Sequence, residues 1–317
     1  MKLNIHPLAV LSILSTLLIA GCGNTAKITP SPEALEIPAA SKLNVKVSFY
    51  PMYEFTEKVA GEFADVEALI PASIEPHDWE PTAQDMARIS QADLLIYNGA
   101  GMEGWVEQVK DSTSNSKLIT VEASKGLDLL ESSDEEEGDH EHGGLDPHVW
   151  LDPALAIEEV RTIEAALSGV APEHAAAFKA NADIYVAKLE QLDQEFKISL
   201  TDAKRKDFIT QHAAFGYLAN EYGLVQVPIA GLSPDLEPSA SRMSEIVEFA
   251  KAHQVKTIFF ETLVSSSVAD TIAKEICAKA AVLNPIEGLT EEDKRNNLDY
   301  IGIMRQNLGA LTTALNE

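Results

Sequence analysis

Short apolar runs alternate with stretches of helical periodicity along most of the chain. The short runs are typical of buried strands, and the longer stretches carry apolar residues at helical spacing. This alternation predicts right-handed β–α–β units and parallel sheets. The predicted strands cover residues 45–50, 66–70, 94–98, 117–121, 207–211, 225–229, 257–260 and 281–284. The predicted helices among them cover residues 54–63, 82–90, 241–253, 268–280 and 290–315.

A long helix is predicted between the two sets of strands, over residues 172–206. Pro172 suits a first helical turn, and Gly169 ends the helix before it. At 1.5 Å per residue, about 30 residues span roughly 45 Å, which is long enough to run the length of a two-lobed protein. We therefore expect an α/β fold of two (βα)4-type lobes with parallel sheets, joined by one long rigid helix. The predicted lobes cover residues 43–170 and 207–317, with the linking helix over 171–206.

The first 42 residues have the pattern of an export signal followed by a tether. Lys2 precedes an apolar run over residues 8–20, which is too short to span a bilayer comfortably and suits a secretory signal. The run ends in Leu-Ile-Ala-Gly-Cys22, which resembles the bacterial lipobox. We expect a signal peptide over residues 1–21, lipidation of Cys22 and a flexible tether over residues 22–42. An uncleaved N-terminal anchor is the alternative.

Charge and cysteine content narrow the class of protein further. The formal net charge is −26, which argues against nucleic-acid binding because that function needs a basic surface. The chain has two cysteines, so lipidation of Cys22 would leave Cys277 without a disulfide partner. We expect Cys277 to be a small buried residue of a helix rather than a reactive thiol.

An acidic insert interrupts the first half of the chain. Residues 131–142 contain seven carboxylates and two histidines, His140 and His142, within a predicted loop over 131–145. Such a run cannot bury a core. It is either a solvated acidic loop or an auxiliary loop that collects metal ions, since the two imidazoles add softer donors to hard oxygens.

Three other histidines occupy comparable places in the predicted topology. His77 lies in a loop after the second strand, His148 directly precedes a helix, and His212 follows the strand 207–211. Ligands of open α/β sheets bind at the carboxyl ends of strands. A single histidine in such a place would usually have a packing or capping role, but three together indicate a metal site.

A carboxylate beyond the last strand could complete the site. Glu287 holds this position, and Glu75, Glu80 or a water molecule are alternatives to it. Neutral imidazoles with one carboxylate suit tetrahedral Zn²⁺. Four protein ligands would leave no open position for a catalytic water, which favours holding the metal over hydrolysis.

Several neighbours of the histidines have two plausible roles. Asp146 could accept a hydrogen bond from a histidine ring, and Asp152 could do the same or cap the following helix. Glu261 faces the same end of its sheet, where we expect an internal hydrogen bond or ion pair rather than metal ligation. Trp79 and Trp150 could shield the metal from water or serve in packing.

Four motifs, in the order in which they follow one another along the chain, resemble those of one known protein family. They are Pro76-His77-Asp-Trp-Glu-Pro81, Asp146-Pro-His-Val-Trp-Leu-Asp-Pro153, His212-Ala-Ala-Phe-Gly-Tyr217 and Ser233-Pro-Asp-Leu-Glu-Pro-Ser239. With them the chain resembles, from Lys42 to its C-terminus, the zinc and manganese solute-binding lipoproteins of bacterial ABC importers, a family once also called adhesins.

This resemblance implies a function and a ligand set. The implied fold has the metal between the lobes, bound by His77, His148, His212 and Glu287. The implied protein is a monomer and not an enzyme. It would be anchored outside the cytoplasm, where it captures Zn²⁺ for an ABC permease and its ATPase.

The third histidine favours zinc as the cargo. Manganese-type members of the family carry Glu in place of His212 and Asp at the fourth position, and imidazole in place of a hard carboxylate favours Zn²⁺ over Mn²⁺. Three alternatives remain open: a manganese transporter component, a cell-surface zinc hydrolase with Glu80 as general base, and an adhesin with incidental metal.

Overall fold

The computed structural model describes residues 42–131, 144–235 and 237–317. The predicted signal peptide, Cys22, the tether up to residue 41, His140 and His142 lie outside the described residues. None of the helices within these ranges combines the length and the apolar character that a bilayer crossing requires.

Eight strands form two separate four-stranded sheets, and every pairing is parallel. The sheet orders are β2-β1-β3-β4 and β6-β5-β7-β8, so the two halves repeat one topology. This arrangement confirms the predicted two-lobed α/β fold. The strands are β1 Leu43–Val47, β2 Ala64–Ala68, β3 Leu94–Tyr97, β4 Ile119–Glu122, β5 Asp207–Thr210, β6 Val225–Pro228, β7 Thr257–Phe260 and β8 Lys279–Val282.

Helices cover the sheets and connect them. Local capping fixes several helix starts: Thr82 and Asp85 form a reciprocal capping box at α2, and Thr290 and Asp293 form another at α9. Asp152 caps α4 through the N–H of Ala154. The helices are α1 Tyr50–Ala60, α2 Ala83–Ile89, α3 Val106–Ser112, α4 Pro153–Val170, α5 Ala175–Thr201, α6 Gly216–Glu221, α7 Ala240–Ala252, α8 Ser267–Ile276, α9 Glu291–Arg295 and α10 Tyr300–Leu315.

The helix α5 is the link between the two sheets. It has 27 residues, about 40 Å of helix, and follows a short 3₁₀ turn over Pro172–His174. Its buried side chains belong to one apolar core that also includes Val47 of the first sheet and Phe208 of the second. Because both lobes share a close-packed core along α5, a wide hinge motion would have to break it.

Some predicted helix and strand boundaries, and the predicted burial of Cys277, differ from the structure. The first helix begins at Tyr50, within the predicted strand 45–50, because Pro51 fits a first helical turn. The final strand ends at Val282, two residues before its predicted end. Cys277 is exposed, which corrects the expectation of burial. It ends α8 in the left-handed region, with φ of 57°, instead of continuing the apolar face of the helix.

Candidate metal centre

The four residues singled out in the sequence lie on four different connections. His77 lies in the loop between β2 and α2, and His148 precedes the 3₁₀ turn Val149–Leu151 before α4. His212 follows β5, and Glu287 lies between β8 and α9. His148 and His212 are fully buried, and Glu287 is nearly so.

The structure brings these four side chains to one point. Each residue offers one potential ligand atom, and these four atoms all lie within 4.8 Å of one another. The Nε2 atom of His148 is 3.3 Å from that of His77 and 3.2 Å from that of His212. Oε1 of Glu287 lies 3.3 Å from Nε2 of His77, 3.6 Å from that of His148 and 3.5 Å from that of His212.

These separations suit a tetrahedral zinc ion. A ligand distance of about 2.0–2.1 Å in tetrahedral geometry sets neighbouring ligand atoms about 3.3–3.4 Å apart. The five separations given above, from 3.2 to 3.6 Å, lie close to this spacing between the corners of a tetrahedron. The arrangement therefore fits one small four-coordinate cation with three nitrogen ligands and one oxygen ligand.

Two carboxylates orient two of the imidazoles. Asp146 Oδ1 lies 2.8 Å from Nδ1 of His148 and also accepts the backbone N–H of His148 at 2.9 Å. Glu261 Oε1 lies 2.6 Å from Nδ1 of His212 and accepts the backbone N–H of that residue at 3.1 Å. A proton held on Nδ1 leaves the Nε2 lone pair free for a metal, so both pairs favour the ligating tautomer.

The third imidazole is held mainly through its backbone. Both oxygens of Glu75 accept the N–H of His77 at 3.1 Å. Oε1 of Glu75 is 4.0 Å from Nε2 of His77. Glu75 therefore adjoins the cluster without belonging to the four-member group, and Glu80 is exposed and also outside it.

Burial and neighbouring charges shift the pKa values of all four residues in the cluster. Burial opposes protonation of His212, yet the carboxylates of Glu261 and Glu287 raise the pKa of His212 to about 10. Burial also opposes protonation of His148, but Asp146 and Glu287 raise the pKa of His148 above its usual value. Burial lowers the pKa of His77. Burial disfavours the Glu287 carboxylate, but hydrogen bonds with the three histidines hold the pKa of Glu287 well below its usual range.

A clamped turn presents Glu287 to the histidines. Asn307 accepts the backbone N–H of Asn284 through Oδ1 and donates to the carbonyl of Asn284 through Nδ2. Asn284 Oδ1 in turn accepts the N–H of Ile286, which has a left-handed φ of 59°. A non-glycine residue rarely holds that conformation unless its surroundings fix it, so the turn is determined by these amide contacts.

The same turn touches both loops of the first lobe. Trp150 Nε1 donates to the carbonyl of Pro285 at 2.7 Å. The N–H of Leu289 donates to the carbonyl of Ala72 at 2.8 Å, and a Cβ at Gly288 would lie 2.1 Å from that oxygen. Only glycine permits this approach of the two backbones. No local pattern in the sequence predicts these contacts, although the Asn-Pro-Ile-Glu-Gly run indicates an irregular turn.

Fold and site together define a class: a metal-binding protein of two α/β lobes with a closed, buried ligand set in the cleft. The chain belongs to the family described as zinc-uptake complex component A, periplasmic, whose model matches residues 45–314.

Relatives and solved structures agree with this assignment. The chain is 48% identical over 308 residues to the high-affinity zinc uptake system protein ZnuA of Bacillus subtilis, covering 94% of each chain. It is 44% identical to the zinc-binding lipoprotein AdcA of Streptococcus pneumoniae, covering 95% of this chain and 59% of that longer protein. The Zn(II)-bound ZnuA-like domain of S. pneumoniae AdcA superposes with a TM-score of 0.77 at 44% identity, covering 87% of this chain and 100% of that domain.

Proposed function

We propose that this chain captures Zn²⁺ outside the cytoplasm and delivers it to the membrane permease of an ABC importer. The observation that carries the proposal is the convergence of His77, His148, His212 and Glu287 on one point. Family membership and the zinc-binding relatives support the same cargo and the same kind of partner, a permease with its ATPase.

The residues act as a prearranged donor set. Asp146 and Glu261 hold the rings of His148 and His212 so that each Nε2 faces the common point. Glu287 adds a carboxylate that is already ionised. Because the donors are already in position before the ion arrives, binding loses little side-chain entropy. This favours high affinity.

Donor chemistry favours zinc over manganese. Three imidazoles and one carboxylate suit Zn²⁺, whereas Mn²⁺ prefers more oxygen donors and a higher coordination number. The four protein donors also fill a tetrahedral shell, which leaves no position for a catalytic water. The site is therefore suited to carrying a metal and not to hydrolysis.

Membrane attachment is part of the proposal. The lipobox-like sequence at Cys22 supports a lipid anchor, with residues 22–42 as the tether, and AdcA of S. pneumoniae is a lipoprotein. We also propose that His140 and His142, in the acidic insert, collect metal ions for the cleft. Palmitate labelling of wild type against Cys22→Ala tests the anchor.

Competition binding tests the cargo. We expect the metal-free full chain to take up one Zn²⁺ from a chelating dye and to bind Mn²⁺ far more weakly in the same assay. Equal or tighter Mn²⁺ binding would identify a manganese carrier instead. Failure to compete for either metal would contradict the transport proposal altogether.

A further inference from the structure

The segment that leads to His148 is held at two successive backbone carbonyls. The hydroxyl of Tyr217 donates to the carbonyl of Asp146 at 2.7 Å. Nδ2 of Asn98 donates to the carbonyl of Pro147, the next residue, at 2.9 Å. Tyr217 is 3% exposed and Asn98 is fully buried, so loss of either donor leaves a buried carbonyl with one partner fewer.

The two donors come from different lobes. Asn98 directly follows β3 of the first sheet, whereas Tyr217 lies in the first turn of α6, which follows β5 of the second sheet. His212 lies in the same connection from β5 into α6. This connection therefore supplies one ligand of the metal and also the hydroxyl that holds the segment of another ligand, His148.

The hydroxyl of Tyr217 is used both as a donor and as an acceptor. Besides donating to Asp146, it accepts the backbone N–H of Leu130 at 2.9 Å. The carbonyl of Leu130 in turn accepts the N–H of Asp146 at 2.8 Å. The three residues thus form a closed set of hydrogen bonds, which fixes the direction of the hydroxyl proton. A phenyl ring of the same shape could pack at this position but could make neither bond.

The carboxylate of Asp146 also lies against α6. Its Oδ1 is the atom beside the ring of His148, and a Cβ at Gly216 would lie 2.6 Å from its Oδ2. The absence of a side chain at Gly216 permits this close approach of helix and carboxylate. Two consecutive residues of α6 therefore hold Asp146, one at its carbonyl and one beside its carboxylate.

We propose that Tyr217 is a positioning residue of the metal centre, through which the second lobe sets the orientation of His148. Its hydroxyl fixes the backbone of Asp146, and the carboxylate of Asp146 fixes the imidazole of His148. The inference rests on the proposed function, the capture of Zn²⁺, and adds to it a residue outside the ligand set. Hydrogen-bond partners beyond the ligands contribute to metal affinity because they fix the ligands in place.

Tyr217→Phe tests this role, because it removes the hydroxyl and keeps the ring. Zinc affinity of the full chain, measured by competition with a chelating dye, should fall about 3- to 10-fold. This is less than the loss of about 10- to 100-fold expected for the direct partner of a ligand. Tyr222→Phe is the matched control, since its buried hydroxyl at the end of α6 donates to Asp193 at 3.2 Å. It should lose similar stability in denaturant and keep the zinc affinity of wild type.

Gly216→Ala tests the same route from the carboxylate. It retains the hydroxyl of Tyr217 but places a methyl group against Oδ2 of Asp146, so the carboxylate must move away from its present position. We expect a loss of zinc affinity of about 3- to 10-fold in this variant as well. Gly309→Ala, where a Cβ meets nothing within 4 Å, is its control. Normal zinc affinity in Gly216→Ala would contradict the proposed route through Asp146.

NMR of the His148 ring gives a readout that general loosening of the fold would not produce. In Tyr217→Phe the proton on Nδ1, which Asp146 accepts, should exchange with water about 3- to 10-fold faster than in wild type, and in Tyr222→Phe it should not change. The measurement is made on the metal-free and on the zinc-loaded chain. If wild type failed to bind zinc, the proposed function would be wrong, while the metal-free spectra would still decide the role of Tyr217. Unchanged exchange in Tyr217→Phe, or equal losses of zinc affinity in the two tyrosine variants, would overturn the inference.

Discussion

The Nε2 atoms of His148 and His212 lie 3.2 Å apart, although the two residues are separated by 64 positions in the chain. His212 stands at the end of a strand of the second sheet, while His148 leads into the helix that follows the first. Each ring is fixed by its own buried carboxylate, so the short separation is set by both lobes together. The proposed metal centre therefore depends on the packing that joins the lobes.

Loss of one imidazole should abolish tight zinc binding. We expect His148→Ala to weaken zinc affinity by more than about 100-fold, because removal of a ligand costs more than removal of its hydrogen-bond partner. Competition with a chelating dye measures this loss. His253→Ala, at an exposed position distant in sequence from the four motifs, is the control and should bind zinc normally. Normal zinc affinity in His148→Ala would refute the ligand assignment.

The orienting carboxylates should matter less than the ligands but still measurably. Asp146→Asn and Glu261→Gln should each reduce zinc affinity about 10- to 100-fold, since the imidazole loses its fixed tautomer and part of its basicity. Glu80→Gln, an exposed carboxylate near His77 in sequence, should have no effect. If all three variants bound zinc equally well, the proposed role of Asp146 and Glu261 would be wrong.

Zinc binding should release protons. Because the pKa of His212 is raised to about 10 in the metal-free protein, this ring is protonated on both nitrogens at pH 7.5, and the metal must displace the second proton, on Nε2. Affinity should therefore rise as pH increases towards about 10, where His212 loses that proton unaided. Calorimetry in two buffers of different ionisation enthalpy measures the number released. Identical heats in both buffers would show that no proton leaves.

The close approach at Gly288 should be sensitive to a single methyl group. In Gly288→Ala the new Cβ meets the carbonyl oxygen of Ala72, so the loops of the two lobes must separate. We expect a loss of about 1–3 kcal/mol in the free energy of unfolding, together with weaker zinc binding. The control is Gly309→Ala in α10, where a Cβ meets nothing within 4 Å. That variant should be neutral or slightly stabilising.

A buried carboxyl away from the metal should limit stability. Glu159 is fully buried in α4, and neither of its oxygens has a hydrogen-bond partner among the described residues. We expect Glu159→Met to raise the free energy of unfolding by about 1–3 kcal/mol at pH 7, because it removes two unpaired oxygens. Denaturant titration measures the change. Glu158→Met, at the exposed neighbouring position, should shift it by less than about 0.5 kcal/mol.

The pH dependence of that stability has a definite sign. Burial raises the pKa of Glu159 well above its ordinary value of 4.5, so the folded protein keeps a proton that the unfolded chain releases. The free energy of unfolding is therefore unaffected by this difference below about pH 4.5. It declines as pH rises from there towards the folded pKa of Glu159. The decline should be smaller in Glu159→Met than in wild type. An unchanged pH profile would show that Glu159 is not the source.

Local sequence signals predict the fold and place His77, His148 and His212 at strand ends and helix entries, whereas the choice of Glu287 over Glu75, Glu80 or water follows from the family resemblance. Strand and helix periodicities repeat in both halves, and ligand positions at strand ends follow from parallel topology. The capping residues Thr82 and Thr290 were recognisable because their partners are three positions away. The role of Glu261 as a hydrogen-bond acceptor rather than a ligand was also anticipated.

Features set by long-range contacts were not predictable in this way. Asn307 clamps a turn 23 residues distant, and Trp150 donates to a carbonyl 135 residues away. The exposed position of Cys277 arises because the helix stops there in a left-handed conformation, which is uncommon for a residue with a side chain. No local sequence pattern predicts such contacts, because each depends on how the lobes pack.

Anomalous diffraction from crystals of the zinc-loaded protein, recorded on both sides of the zinc absorption edge, tests the central claim most directly. We predict one strong zinc peak in the cleft, bound by Nε2 of His77, His148 and His212 and by a carboxylate oxygen of Glu287. A peak bound elsewhere, or one that omits any of the three imidazoles, would contradict the account.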